Sequence, residues 1–286
     1  MHYQWYPGHM VKTKALIKEN LKLCDVVVEL LDGRIPISSR NPDINNILGD
    51  KQKVVVLTKS DLADPIKTKA WVEHLKDSNT EAIAINLNSA NQWKRVVEKV
   101  KQSSTLKSKY KRLNIKVNKP TRVMVLGVPN VGKSTFINKV ASRTAAKTGD
   151  RPGVTKQKQW IRTKEKIELM DTPGVLWPKF DDQEIGFRLA VTGAIKDEIV
   201  NIEDMANRLV SFLIKEYPCN LQKRYDINLD RIVGPNEFIQ QVAGNRKILQ
   251  SQGNLDIEKA SEIIVREFRK GLLGNVTLED IDKITT

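Results

Sequence analysis

The sequence predicts an α/β protein, a parallel sheet covered by helices on both faces and followed by a small all-α domain. Short β-branched runs alternate with amphipathic stretches of helix length through the first 196 residues. After about residue 200 those runs disappear, and apolar residues recur at helical spacing instead. A chain of 286 residues with 40% hydrophobic content is long enough for one large domain and one smaller one.

The candidate strands are DVVVELL at 25–31, KVVVLT at 53–58, EAIAIN at 81–86, TRVMVLG at 121–127 and KIELMD at 166–171. Between the second and third, residues 64–76 read as a helix, with Asp64 placed to cap it and Pro65 suited to its first turn. Further helices are expected at 91–102, at 134–141, at 201–217 and at 256–273. These place the first domain at 1–196, with a basic connector at about 103–120, and the helical domain at 197–286.

Charge narrows the partners. Lys and Arg exceed Asp and Glu by 48 to 34, a net charge of +14, which points to a polyanion such as nucleic acid or an anionic membrane. From Asp197 onward there are 12 basic and 15 acidic residues, so the excess lies wholly in the first 196. No acidic residue occurs between Glu98 and Asp150, and residues 103–122 carry seven basic ones, a solvated connector suited to RNA. In the helical domain, Arg246, Lys247, Arg266, Arg269 and Lys270 are the candidates for an RNA face, although the last three also suit the negative end of a helix dipole.

No run of 18 apolar residues exists, and the opening lacks the apolar core of a secretion signal, so a soluble, cytoplasmic protein without membrane attachment is expected. The two cysteines, Cys24 and Cys219, lie far apart with no ligand spacing; Cys24 reads as a small buried thiol.

The chemistry starts at Gly127-Val128-Pro129-Asn130-Val131-Gly132-Lys133-Ser134-Thr135, which follows a strand and opens a helix, as a phosphate-binding P-loop requires. Glycines let backbone amides approach phosphates, and the helix start adds a favourable dipole. Lys133 is set to neutralise the β- and γ-phosphates and Ser134 to ligate Mg²⁺. Asp171-Thr172-Pro173-Gly174 ends the next strand, where Asp171 can hold a Mg²⁺-bound water and the Gly174 amide can sense a γ-phosphate. Thr155, in the intervening segment Arg151-Pro152-Gly153-Val154-Thr155, is placed to close over Mg²⁺.

Guanine selection needs a carboxylate facing N1 and the 2-amino group, donors that adenine does not pair. Thr58-Lys59-Ser60-Asp61 follows the second strand, so Asp61 can play that part while the Lys59 stem covers the ring. Asn88-Ser89-Ala90 follows the third strand, where a backbone amide can meet the guanine O6.

These motifs resemble those of GTPases of the translation-factor-related class, except that the base motifs precede the P-loop, the order of circularly permuted GTPases. Together with Trp5-Tyr6-Pro7-Gly8-His9-Met10, Asp32-Gly33-Arg34-Ile35-Pro36, Ser39-Arg40-Asn41-Pro42 and the length of the C-terminal part, the chain resembles the bacterial ribosome-biogenesis GTPase A family over nearly its whole length. The resemblance implies a P-loop GTPase sheet in permuted order, with GTP or GDP, Mg²⁺ and K⁺ as cofactors. It also implies a monomer off the ribosome that assists late assembly of the large ribosomal subunit, its helical domain helping to bind ribosomal RNA. Thr58 stands where the family's base motif has Asn, which bears on nucleotide affinity or release. Val175 stands where Ras-like proteins carry the water-orienting Gln; the resemblance gives that work to His9, with Asn130 as the potassium ligand. The catalytic set is then His9, Lys133, Thr155 and Gly174.

Two other readings follow from the same residues. One is an RNA-binding scaffold in which nucleotide is structural, favoured by Val175 and opposed by the intact Mg²⁺ set. The other is an ATP-using enzyme, since a P-loop alone does not choose the base.

Overall fold

A computed structural model describes residues 17–104, 119–142, 160–171, 182–251 and 253–283, apart from the side chains of residues 43–45 and 171. The described strands are β1 (Val26–Asp32), β2 (Lys53–Thr58), β3 (Thr80–Ala84), β4 (Thr121–Gly127), β5 (Trp160–Arg162) and β6 (Ile167–Asp171). They form one sheet in the order β3-β2-β1-β4-β6-β5. Every pairing is parallel except that of β5 with β6, so the sheet ends in an antiparallel edge strand that the sequence reading of a wholly parallel sheet lacked. Three residues are too few to show an alternation, and β5 is legible only beside its partner.

β1 and β2 are buried at every position, as expected where helices cover both faces. The two-residue alternation divides their side chains cleanly. Val28, Leu30, Val54, Val56, Val123 and Val125 join Val96, Val97 and Val100 of helix α3 (Gln92–Ser103) and Phe136, Ile137 and Val140 of helix α4 (Lys133–Ala141). On the other face, Val27, Met124, Leu126 and Met170 meet Ile17, Leu21, Cys24 and Leu48, the last ending helix α1 (Pro42–Leu48). Nearer the β3 edge, Leu31, Val55 and Leu57 meet Trp71 of helix α2 (Pro65–His74). Each such aliphatic side chain contributes about 1.5–3 kcal/mol on full burial. Asp64 caps α2 as the sequence predicts, accepting from the amides of Ile66 and Lys67 at 2.9 and 3.1 Å.

Helix α5 (Gln183–Val191) leads out of the sheet region into α6 (Ile202–Glu216), α7 (Pro218–Tyr225), α8 (Pro235–Asn245) and α9 (Ile257–Arg269). Met205, Leu209 and Leu213 of α6 pack with Phe238 and Val242 of α8 and Ile264 and Phe268 of α9. The same apolar cluster runs on through Leu189 and Val191 of α5 to the sheet, so the helical part shares a core with it.

After α9 the chain turns back across the end of the sheet. Asn275 Nδ2 donates to the carbonyls of Asp61 and Ala63, both at 2.9 Å. The Val276 amide bonds the Leu62 carbonyl at 3.0 Å, and the Leu278 amide bonds that of Arg34 at 2.8 Å. Buried Glu279 accepts from the amides of Ile37 and Ser38 at 2.6 and 2.8 Å.

Register puts the carboxyl ends of the central strands side by side, with Asp32 opposite Thr58, Leu30 opposite Gly127 and Val125 opposite Asp171. Strand order reverses between β1 and β4, and the crevice outside the strand ends at such a switch point is where open α/β sheets bind ligands.

Candidate functional site

At that crevice β4 runs into the P-loop, and the loop into α4. Asn130 (φ 58°) and Gly132 (φ 99°) both take left-handed backbone conformations, which fold the loop tightly against the helix start. Gly132 is the cap residue of α4 and no side chain caps that end, which leaves the first-turn amides available as an anion-binding turn requires. A Cβ at Gly132 would lie 2.8 Å from Leu87 Cδ1, and one at Gly127 would lie 2.8 Å from Val131 Cγ1 and 2.9 Å from the Leu30 carbonyl. Neither position admits a side chain without a shift.

The crevice opens into a pocket of about 1040 Å³, enough for a nucleotide. From the predicted site, Lys59, Asp61, Asn88, Asn130, Val131, Gly132 and Thr135 line it. The base motif and the P-loop, some seventy residues apart in sequence, therefore form one cavity. Pro129, Lys133 and Ser134 adjoin its wall in the same loop and helix start, and half-buried Ser89 and exposed Ala90 adjoin Asn88. Thr58 stands behind the wall, wholly buried; its hydroxyl lies 2.7 Å from the Val131 carbonyl and 3.0 Å from the Leu31 carbonyl.

Lys59, at φ 54°, turns its side chain back so that Nζ lies 2.9 Å from Asp32 Oδ2. Arg34 grips the same carboxylate with Nε at 2.9 Å and Nη2 at 2.7 Å. Burial alone would raise the Asp32 pKa, but the adjacent Arg34 and Lys59 cations outweigh it and hold the carboxyl well below its ordinary range. Asp32 therefore stays charged and fixes the stem of Lys59 alongside Asp61. Arg34 Nη1 is buried without a hydrogen-bond partner among the described residues, on a side chain that lines the pocket.

Sequence reasoning missed part of the lining. It is the turn after α5, residues 192–198, together with Asn86, Leu87, Leu62, Arg34 and Arg269. Asn130 Nδ2 donates to the Gly193 carbonyl at 2.7 Å, tying the P-loop to that turn. No local pattern marks the turn as part of a site; only its place in the pocket lining does.

Of the five basic residues considered for RNA, two are engaged within the chain. Arg246 pairs with Glu267 at 2.8 Å, and Arg269 points inward to Asp197 at 2.7 Å. Lys247, Arg266 and Lys270 are exposed. His9, Thr155, Gly174, Val175 and most of the 103–120 connector lie outside the described residues, as does the side chain of Asp171 at the end of β6. None of the described helices is long and apolar enough to cross a membrane.

The geometry on the P-loop side fits the cofactors of a guanine-nucleotide enzyme: an open helix start for phosphates, a hydroxyl at Ser134 in its first turn, and a strand end at Asp171 two strands from Asp32. Comparison with known proteins agrees. A protein family described as "50S ribosome-binding GTPase" matches residues 122–233. The ribosome biogenesis GTPase A of Bacillus cereus is 46% identical over 283 residues, covering 98% of this chain and 94% of its own. Mitochondrial ribosome-associated GTPase 1 of Mus musculus is 33% identical, covering 96% of this chain and 90% of its own. Among solved structures, GDP-bound YlqF superposes with a TM-score of 0.67 at 25% identity, covering 93% of this chain and 99% of that one. GNP-bound YlqF from T. maritima gives 0.63 at 25%, covering 94% and 97%. The chain belongs to the ribosome biogenesis GTPase A family, and is a circularly permuted P-loop GTPase, of a kind that binds GTP and GDP and usually Mg²⁺.

Proposed function

We propose that this GTPase is an assembly factor for the large ribosomal subunit, binding the precursor particle in its GTP state and leaving on hydrolysis. The observation that carries the nucleotide part is the single pocket shared by Asp61 and the P-loop. The particle is supported by the names of its relatives and by the net charge of +14.

In this reading Asp61 pairs with guanine N1 and N2, Lys59 covers the ring, and the turn at Asn88, Ser89 and Ala90 meets O6. Lys133 and the backbone amides of Asn130 to Thr135 hold the phosphates. Ser134, Thr155 and, through water, Asp171 hold Mg²⁺, while Gly174 senses the γ-phosphate. His9 aligns the attacking water in place of the Gln that Val175 replaces. Asn130, whose Nδ2 is used by Gly193, offers its Oδ1 to K⁺. Residues 1–196 do the chemistry, and residues 197–286 meet ribosomal RNA through exposed Lys247, Arg266 and Lys270. The factor is a cytoplasmic monomer off the ribosome.

The test is GTP turnover in K⁺ buffer with and without purified large subunits, using ATP and Na⁺ as paired controls. Several-fold stimulation that is specific to GTP and dependent on K⁺ supports the assembly switch. Tight GTP binding with no turnover under any condition replaces it with a nucleotide-stabilised RNA scaffold.

A further inference from the structure

Arg269 is the last residue of α9, yet its guanidinium reaches into the turn that faces the P-loop. Nε donates to the Val191 carbonyl at 3.0 Å and Nη2 to the Ala190 carbonyl at 2.8 Å. Nη1 and Nη2 also make a two-pronged pair with Asp197, both at 2.7 Å. One side chain from the helical part thus satisfies two carbonyls at the end of α5 and the acidic group at the far side of the 192–198 turn. Gly193, at the apex, has φ 83°, and its open Cα face lies against this guanidinium: an added Cβ would meet Arg269 Nε at 3.5 Å. The Gly193 carbonyl takes the Asn130 amide from the P-loop. Arg269, the turn and Asn130 therefore form one line of contacts from α9 to the phosphate loop, and both ends of that line border the pocket.

We propose that Arg269 is a positioning residue for the nucleotide site: it fixes the 192–198 turn in the pocket lining against the P-loop, so that loss of its fork speeds nucleotide release. The proposal rests on the reading that the pocket takes a guanine nucleotide. A fork geometry is needed, because a single ammonium cannot reach two carbonyls and a carboxylate at once.

The test is stopped-flow release of fluorescent GDP from the full chain. Arg269→Ala and Asp197→Asn are expected to speed release about tenfold, the order expected when a charge-assisted hydrogen-bond set is lost, with the association rate little changed. Arg269→Lys recovers only part of the effect, and added guanidinium ion slows release from Arg269→Ala alone. Arg224→Ala, which breaks a pair with Glu267 inside the helical part, is the stability control. In a double-mutant cycle with Asn130→Ala, the two changes are expected to be non-additive. Release from Arg269→Ala no faster than from Arg224→Ala, or strict additivity with Asn130→Ala, overturns the proposal. Failure of the wild-type chain to bind fluorescent GDP at all would instead overturn the nucleotide reading beneath it.

Discussion

The Thr58 hydroxyl lies 2.7 Å from the carbonyl oxygen of Val131, joining the end of β2 to the middle of the P-loop. Through this bond Thr58 ties the start of the loop that carries Asp61 to the P-loop. Thr58→Val keeps the shape and removes the donor, leaving a buried carbonyl unpaired. Nucleotide affinity is expected to fall about tenfold and stability by about 1–3 kcal/mol, while Thr58→Ser keeps most of both. Calorimetric binding of GDP and urea unfolding read the two quantities separately.

In the proposed role of Asp61, Asp61→Asn reverses one of the two hydrogen-bond directions offered to the base. GTP affinity is expected to fall roughly 100-fold or more, and xanthosine triphosphate, whose C2 oxygen accepts where guanine donates, is expected to bind in its place. Unchanged GTP binding in a competition assay would remove Asp61 from base recognition.

Gly132→Ala places a Cβ 2.8 Å from Leu87 in a left-handed backbone position. The strain is about 1–2 kcal/mol, and its site is the loop that cradles phosphate. Nucleotide binding is expected to disappear while the far-ultraviolet circular dichroism of the sheet and helices persists.

Glu267 links two helices. Burial pushes its carboxyl up, but hydrogen bonds from Arg224 and Arg246 prevail and hold it down to about 2. A depressed carboxylate adds stability that is fully present above its unfolded pKa of about 4.3 and drains away as pH falls toward the folded value. Between about pH 5 and 2 the melting temperature is therefore expected to decline, and Glu267→Gln is expected to start lower and decline less steeply. Equal slopes for the two proteins would assign the acid sensitivity to other carboxylates.

Much of this was legible in the sequence. The β-branched runs gave five of the six described strands to within two residues at either end, because strands buried on both faces leave an unbroken apolar signal. The P-loop was legible because its chemistry demands a fixed spacing within nine residues, and Asp64 and Pro65 announced α2 through local capping alone. What escaped depends on distance along the chain. Arg34 and Asp32 were visible as a motif, but the pull of Asp32 on Lys59, 27 residues on, is a product of strand register. Arg269 read as a surface cation at a helix end, and 72 residues separate it from the Asp197 that turns it inward. The turn at 192–198 has no spacing of its own to read.

The stitching of Asn275, Val276 and Leu278 onto the carbonyls of Asp61, Leu62, Ala63 and Arg34 has a consequence for synthesis. The loop that carries Asp61 is made early, and the amides that brace it emerge from the ribosome more than two hundred residues later. A nascent chain can complete β1, β2 and the P-loop and still present Asp61 on an unbraced loop. The bracing of this loop thus arrives last, and a molecule cut short before Asn275 would carry a P-loop beside an Asp61 loop that lacks these braces.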